Sequence, residues 1–119
     1  MYDYMIEIPM KLPSLNEYIN ECRGNKFAGA RMKKNIESDI AYCMTSLPRF
    51  KKPIHITFKW VESNRKRDLD NVCFAKKFIL DALVKSGHMK DDNRNYVIGF
   101  VDEFYYDKES KVILEIKEV

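Results

Sequence analysis

Between residues 54 and 61, Ile54, Ile56, Phe58 and Trp60 alternate with His55, Thr57, Lys59 and Val61. A period of two over that length marks a strand with one face on a core, so the chain must build a second layer against that face. Two stretches have the helical period to supply it. Met32, Ile36, Ile40, Cys43, Met44 and Leu47 recur mainly at steps of three and four until Pro48. Val72, Ala75, Ile79, Ala82 and Leu83 form the inner stripe of a second helix over about residues 71–86, with Gly87 placed to cap its end.

Around this centre, Tyr2, Tyr4, Ile6 and Ile8 alternate with Asp3, Met5 and Glu7 and mark an opening strand, ended by Pro9 and Pro13. Two closing strands are expected over residues 96–106 and 111–117, flanking a turn at 107–110. Residues 14–29 mix Asn16, Tyr18, Arg23, Gly24, Asn25 and Lys26 without a period and read as an exposed loop with a short helical turn. The order strand, helix, strand, helix, strand, strand implies an α+β fold, a mixed or antiparallel sheet with two helices packed on one face. With 119 residues, 45% of them apolar, the chain can bury one core and not two, so a single domain over residues 1–119 is expected.

Composition excludes several functions. No apolar run approaches the roughly 20 residues that span a bilayer, and the opening residues lack the order of a signal peptide, so a cytoplasmic protein is expected. Cys22, Cys43 and Cys73 form no C-x-x-C pair and are odd in number, which favours reduced thiols. His55 and His88 are too few and too far apart for a zinc site, so any metal must be held by oxygen. The four glycines fall in no phosphate-binding loop, which ranks a nucleotide-hydrolysing enzyme last.

Charge is unevenly spread. Residues 1–67 carry 13 Lys/Arg against 7 Asp/Glu, and residues 68–119 carry 8 against 11, so the two parts are +6 and −3. The boundary falls inside Arg65-Lys66-Arg67-Asp68-Leu69-Asp70-Asn71, and Lys90-Asp91-Asp92-Asn93 follows some twenty residues later. If 68–70 is extended, Asp68 and Asp70 project to the same side. Two carboxylates about 4 Å apart repel by roughly 4 kcal/mol at an effective dielectric near 20, so keeping both ionised calls for a cation between them. Magnesium, with manganese as the alternative, takes a few carboxylate oxygens, keeps waters and accepts substrate phosphate oxygens. Asp68, Asp70 and one of Asp91 or Asp92 would make such a site. The plainer reading is that Asp68, Asp70 and Asn71 cap the helix and that Asp91, Asp92 and Asn93 form a polar turn, and both roles can hold together.

Lys77 lies seven residues beyond Asp70, about two helical turns, where its amine would face the acids and hold a phosphate, or would form only a surface pair with Asp81. Arg65, Lys66 and Arg67 would grip backbone phosphates next to the scissile bond or form only a solvated loop, and Lys26, Arg31, Lys33, Lys34, Lys51 and Lys52 would extend the patch. Tyr18 and Phe27, near Arg23 and Lys26, would stack on unpaired bases or else belong to the core.

The block Arg67-Asp68-Leu69-Asp70-Asn71, then Lys77 through Ile79-Leu80-Asp81-Ala82-Leu83, Gly87 and Lys90-Asp91-Asp92, resembles the signature of RusA-type Holliday-junction resolvases of bacteria and their phages. The opening Ile8-Pro9 and Pro13-Ser14-Leu15-Asn16-Glu17-Tyr18 fits the start of that family. The resemblance implies a homodimer that nicks four-way DNA junctions symmetrically with magnesium or manganese. It implies Asp68, Asp70 and Asp92 as catalytic metal ligands, with Asp91 as the alternative to Asp92, and Lys77 as the essential lysine. Arg65, Lys66, Arg67, Asn71, Lys76, Asn16, Arg23 and Lys26 complete the expected DNA-contacting set. One departure stands out: where that family carries its lysine within a turn of the second aspartate, this chain has Phe74, and Lys76 and Lys77 come later, in a segment about one turn longer. A non-catalytic nucleic-acid binding module is the competing reading.

Overall fold

A computed structural model describes all residues, Met1–Val119. The alternating run at residues 54–61 becomes β2 (Ile54–Glu62), one of the two interior strands of a four-stranded sheet. The sheet order is β1-β4-β2-β3, with β1 (Tyr4–Ile8), β3 (Val97–Tyr106) and β4 (Lys111–Glu118). β4 runs antiparallel to both β1 and β2, whereas β3 runs parallel to β2, so the sheet is mixed.

Register explains the burial. Ile56, Phe58 and Trp60 face Ile116, Leu114 and Val112 across the β2–β4 ladder, and Ile6 and Ile8 face Leu114 and Val112 from the other side. All of these are buried on the one face that carries the helices. The opposite face is half-exposed and mixes polar with apolar side chains, with Lys59 paired to Glu115 at 3.0 Å.

Residues 107–110 do not close a hairpin between β3 and β4. They cross the end of β2, where Asp107 N–H donates to the Glu62 carbonyl at 3.1 Å, and so deliver β4 to the far side of that strand. A strand parallel to β2 needs a long crossover, which the second helical stretch and the loop after it provide.

Both helical layers are more divided than the sequence suggests. Residues 14–29 are not a loop: α1 (Leu15–Gly24) occupies most of them, started by a capping box in which Glu17 N–H donates to Ser14 Oγ and Ser14 N–H to Glu17 Oε1. α1 has no fully buried residue, which is why no core stripe announced it. α2 (Ala28–Tyr42) follows and buries Ile40, with Met44 just beyond its end.

The second stretch splits into α3 (Leu69–Cys73) and α4 (Lys76–Lys85). Between them the bonds tighten to three-residue steps, Ala75 N–H to Val72 O and Phe78 N–H to Ala75 O. Val72, Ala75, Phe78, Ile79, Ala82 and Leu83 still reach the core on both sides of the break. Gly87 closes α4 at φ +80°, with His88 N–H donating to Leu83 O and Gly87 N–H to Val84 O, the paired bonds of a left-handed helix stop. No helix is long and apolar enough to cross a membrane.

Candidate nuclease site

The basic-to-acidic junction is the connection from β2 into α3. Asp68 is the N-cap of α3 with extended backbone, yet its carboxylate takes no cap hydrogen bond, so capping does not account for it. Asp70 is already in the first turn of the helix, so the extended pair inferred from the sequence is not formed: only Asp68 is extended. Both are exposed, and neither belongs to any of the ion pairs of the fold. Two carboxyl side chains are thus left without a cationic partner two residues apart, beside exposed Arg65 and Lys66.

Arg67 behaves differently. Its side chain is only 14% exposed; one guanidinium nitrogen donates to the Leu12 carbonyl at 2.8 Å and lies 3.7 Å from Glu62, and the other is paired with Glu17. Burial would raise the Glu17 carboxyl, but bonds from Ser14 and the Arg67 charge hold it below its ordinary value. Arg67 therefore fastens the start of α1 to the β2–α3 connection and has little left for DNA. Asn71 works in parallel: its side-chain oxygen accepts from Asn16 N–H at 3.3 Å and satisfies one of the free amides of α1. Glu17 and Glu62 were not singled out in the sequence, although Ser14-x-x-Glu17 is the pattern of a capping box.

The acid turn resolves into two different residues. Asp91 spends its oxygens on Asp92 N–H at 2.7 Å and Asn93 Nδ2 at 3.0 Å and is a turn residue. Asp92 instead reaches Lys77, 3.2 Å from Nζ. Lys77 also contacts Asp81 at 3.0 Å, and Asp81 in turn meets Lys33 at 2.9 Å. The bond to Asp81, reinforced by Asp92, holds the Lys77 ammonium above the ordinary lysine value, so it is a fixed positive charge and not a base. Because α3 and α4 are separate, Lys77 does not continue a stripe from Asp70 as an unbroken helix would require.

Lys76, its neighbour, turns the other way. Its Nζ meets Asp102 on β3 at 2.7 Å and lies 3.8 Å from the Phe100 ring centre, and Asp102 also accepts from Trp60 Nε1 at 2.9 Å. Asp102 escaped the sequence reading because its signal, one of two adjacent acids among the mainly apolar residues of β3, has no spacing to betray it. Burial raises the Cys73 thiol, and the charges of Asp102 and Asp70 push the same way.

Of the remaining residues, Arg23 is exposed near the end of α1, and Lys26 lies 5.0 Å over the exposed Phe27 ring. Tyr18 packs against Phe74 and Phe78 and belongs to the core side. Lys33 is tied to two carboxylates and is not a free member of a basic patch.

As a metal centre the arrangement is partial. No three Asp, Glu, His or Cys side chains converge closely enough to hold an ion. The donor chemistry of Asp68 and Asp70 nonetheless suits magnesium, which binds through one or two carboxylates and completes its shell with water and phosphate oxygens.

No curated protein matches the chain closely enough to count as a relative. A family model described as Endodeoxyribonuclease RusA matches residues 7–117, which takes in β2, β3, all four helices, every residue of the site and all of the sheet but the start of β1 and the last residue of β4. This chain belongs to the RusA endodeoxyribonuclease family.

Proposed function

We propose that this protein is a magnesium-dependent endodeoxyribonuclease that resolves four-way DNA junctions as a homodimer, by one nick from each copy. The observation that carries this is the pair of uncompensated carboxylates, Asp68 and Asp70, next to a basic run at the entry to α3. Membership of an endodeoxyribonuclease family supports it.

Asp68 and Asp70 would hold the ion together with water and phosphate oxygens, and Asp92, which does not converge with them in this fold, would join only on cation and DNA binding, with manganese as the alternative cation and Asp91 confined to shaping the turn. A divalent cation at this position supplies Lewis acidity to the phosphodiester and to a nearby water. Lys77 adds a permanent positive charge for the transferred phosphate. Arg65 and Lys66, with Arg23 and Lys26 from the end of α1 and the segment after it, grip the backbone through charge alone. Lys76 is held by Asp102 and the Asn71 side-chain oxygen by Asn16 N–H, so these two side chains serve the framework, whereas the exposed Asn16 side chain stays among the DNA-contacting residues. Two-fold symmetry would offer two identical sites to a pseudo-symmetric junction, so paired cuts follow from the assembly.

Purified protein incubated with a synthetic four-way junction is expected to yield nicked duplexes with magnesium and none with a chelator. A second reading, a binding module without catalysis, draws on the absence of a three-donor cluster. It predicts that the junction is bound and left intact at every magnesium concentration.

A further inference from the structure

Six charged side chains alternate in sign along the cleft between α2 and α4: Lys85, Glu37, Lys33, Asp81, Lys77 and Asp92. Glu37 is 3% exposed and pairs with Lys85 through Oε1, while its Oε2 makes no hydrogen bond and lies 3.7 Å from Lys33 Nζ. Lys33 Nζ is 2.9 Å from one oxygen of Asp81, and Lys77 is 3.0 Å from the other and 3.2 Å from Asp92. The chain of contacts starts at a buried charge and ends at the candidate site.

Its two ends are unequal. Glu37 is desolvated and cannot lose its cations without a large cost, whereas the Lys77 side chain is 57% exposed and on its own would sample many rotamers. Asp81 is shared, one oxygen for each lysine, so its orientation toward Lys77 depends on Lys33 occupying the other. Lys33 belongs to no motif of the site and lies far from it in sequence, on α2.

We propose that Lys33, anchored on Glu37 and acting through Asp81, is a positioning residue that holds Lys77 against Asp92 for strand cleavage. This rests on the nuclease reading above. Lys33 is not itself a DNA contact, since both carboxylates it meets come from the protein.

The test compares wild type with Lys33→Met, Lys33→Arg and, as a control on the distant turn between β3 and β4, Lys108→Met. Single-turnover cleavage of a four-way junction at saturating protein is measured apart from junction affinity. Lys33→Met is expected to slow cleavage about tenfold or more while affinity stays within about twofold, as misplacement of a charged group does. Lys33→Arg restores most of the rate and Lys108→Met leaves it unchanged. A Lys33→Met protein that cleaves at the wild-type rate, or loses only affinity, overturns the proposal and leaves the nuclease reading standing. A wild type that never cleaves defeats the nuclease reading and the positioning role with it. A metal-free readout accompanies these: in urea unfolding, losses from Lys33→Met and Asp81→Asn must be non-additive, and strictly additive losses also overturn it. Should Lys33→Met not fold, Lys33→Gln against Lys33→Arg makes the same comparison.

Discussion

The entry to α3 and the cleft between α2 and α4 treat charge in opposite ways. In the cleft every carboxylate has an ammonium partner, and Asp81 and Glu37 have two each. At the entry to α3, Asp68 and Asp70 have none, although Arg67 stands directly before them and is turned inward to Glu17 and Glu62. Side chains that neutralise one another hold geometry, and side chains left unneutralised can receive a ligand. The difference separates the paired framework of the cleft from the unpaired acids at the entry to α3.

The largest effect should come from the unpaired acids. Asp68→Asn and Asp70→Asn are each expected to slow junction cleavage by roughly 10²–10³-fold, the range seen when one preorganised charge-stabilising group is removed, with junction binding retained. Cleavage at the wild-type rate in either variant would erase the distinction between the two regions.

Next come the two basic neighbours. Arg67→Ala strips Glu17 and Glu62 of their partner and should cost about 1–3 kcal/mol in urea unfolding. Lys66→Ala should leave stability alone and lower the salt slope of junction binding by about one. Reversed results, with Arg67→Ala changing the salt slope and not the stability, would show that its guanidinium turns outward to DNA.

The smallest effect concerns acid. Burial alone would raise the Asp81 carboxyl, but Lys33 and Lys77 hold it below its ordinary value. A carboxyl depressed in the folded state adds stability that is fully present above its unfolded value and is lost as pH falls through the folded one. Asp81→Asn should therefore flatten the decline in melting temperature at acid pH, at and below the ordinary carboxylate range. An unaltered acid limb would mean that the cleft is solvated and its pairs contribute nothing.

The strands and the core were legible because period and burial coincide: Ile54, Ile56, Phe58 and Trp60 are all buried, as their alternation requires. α1 was not, since it buries nothing fully and its only announcement was Ser14-x-x-Glu17. The sheet order could not be read either. Residues 107–110 look like a hairpin turn, and nothing local says that β2 lies between the strands they join. Within the site, the basic run and the acids were visible as types, but their partners were not. That Arg67 faces inward, that Lys76 and Lys77 part company and that Asp102 waits on β3 for Lys76 are all consequences of long-range packing.

The left-handed residue that ends α4 is Gly87, five positions before Asp92, and it sets the direction in which the acid turn departs. A methyl group there would touch nothing within 4 Å, so space is not what reserves the position for glycine. Torsion alone does, and torsion has a handedness. Installed at residue 87 by chemical synthesis, D-alanine should preserve the course of the loop and the reach of Asp92, whereas L-alanine should deflect both, making the placement of a carboxylate answer to the chirality of a single carbon.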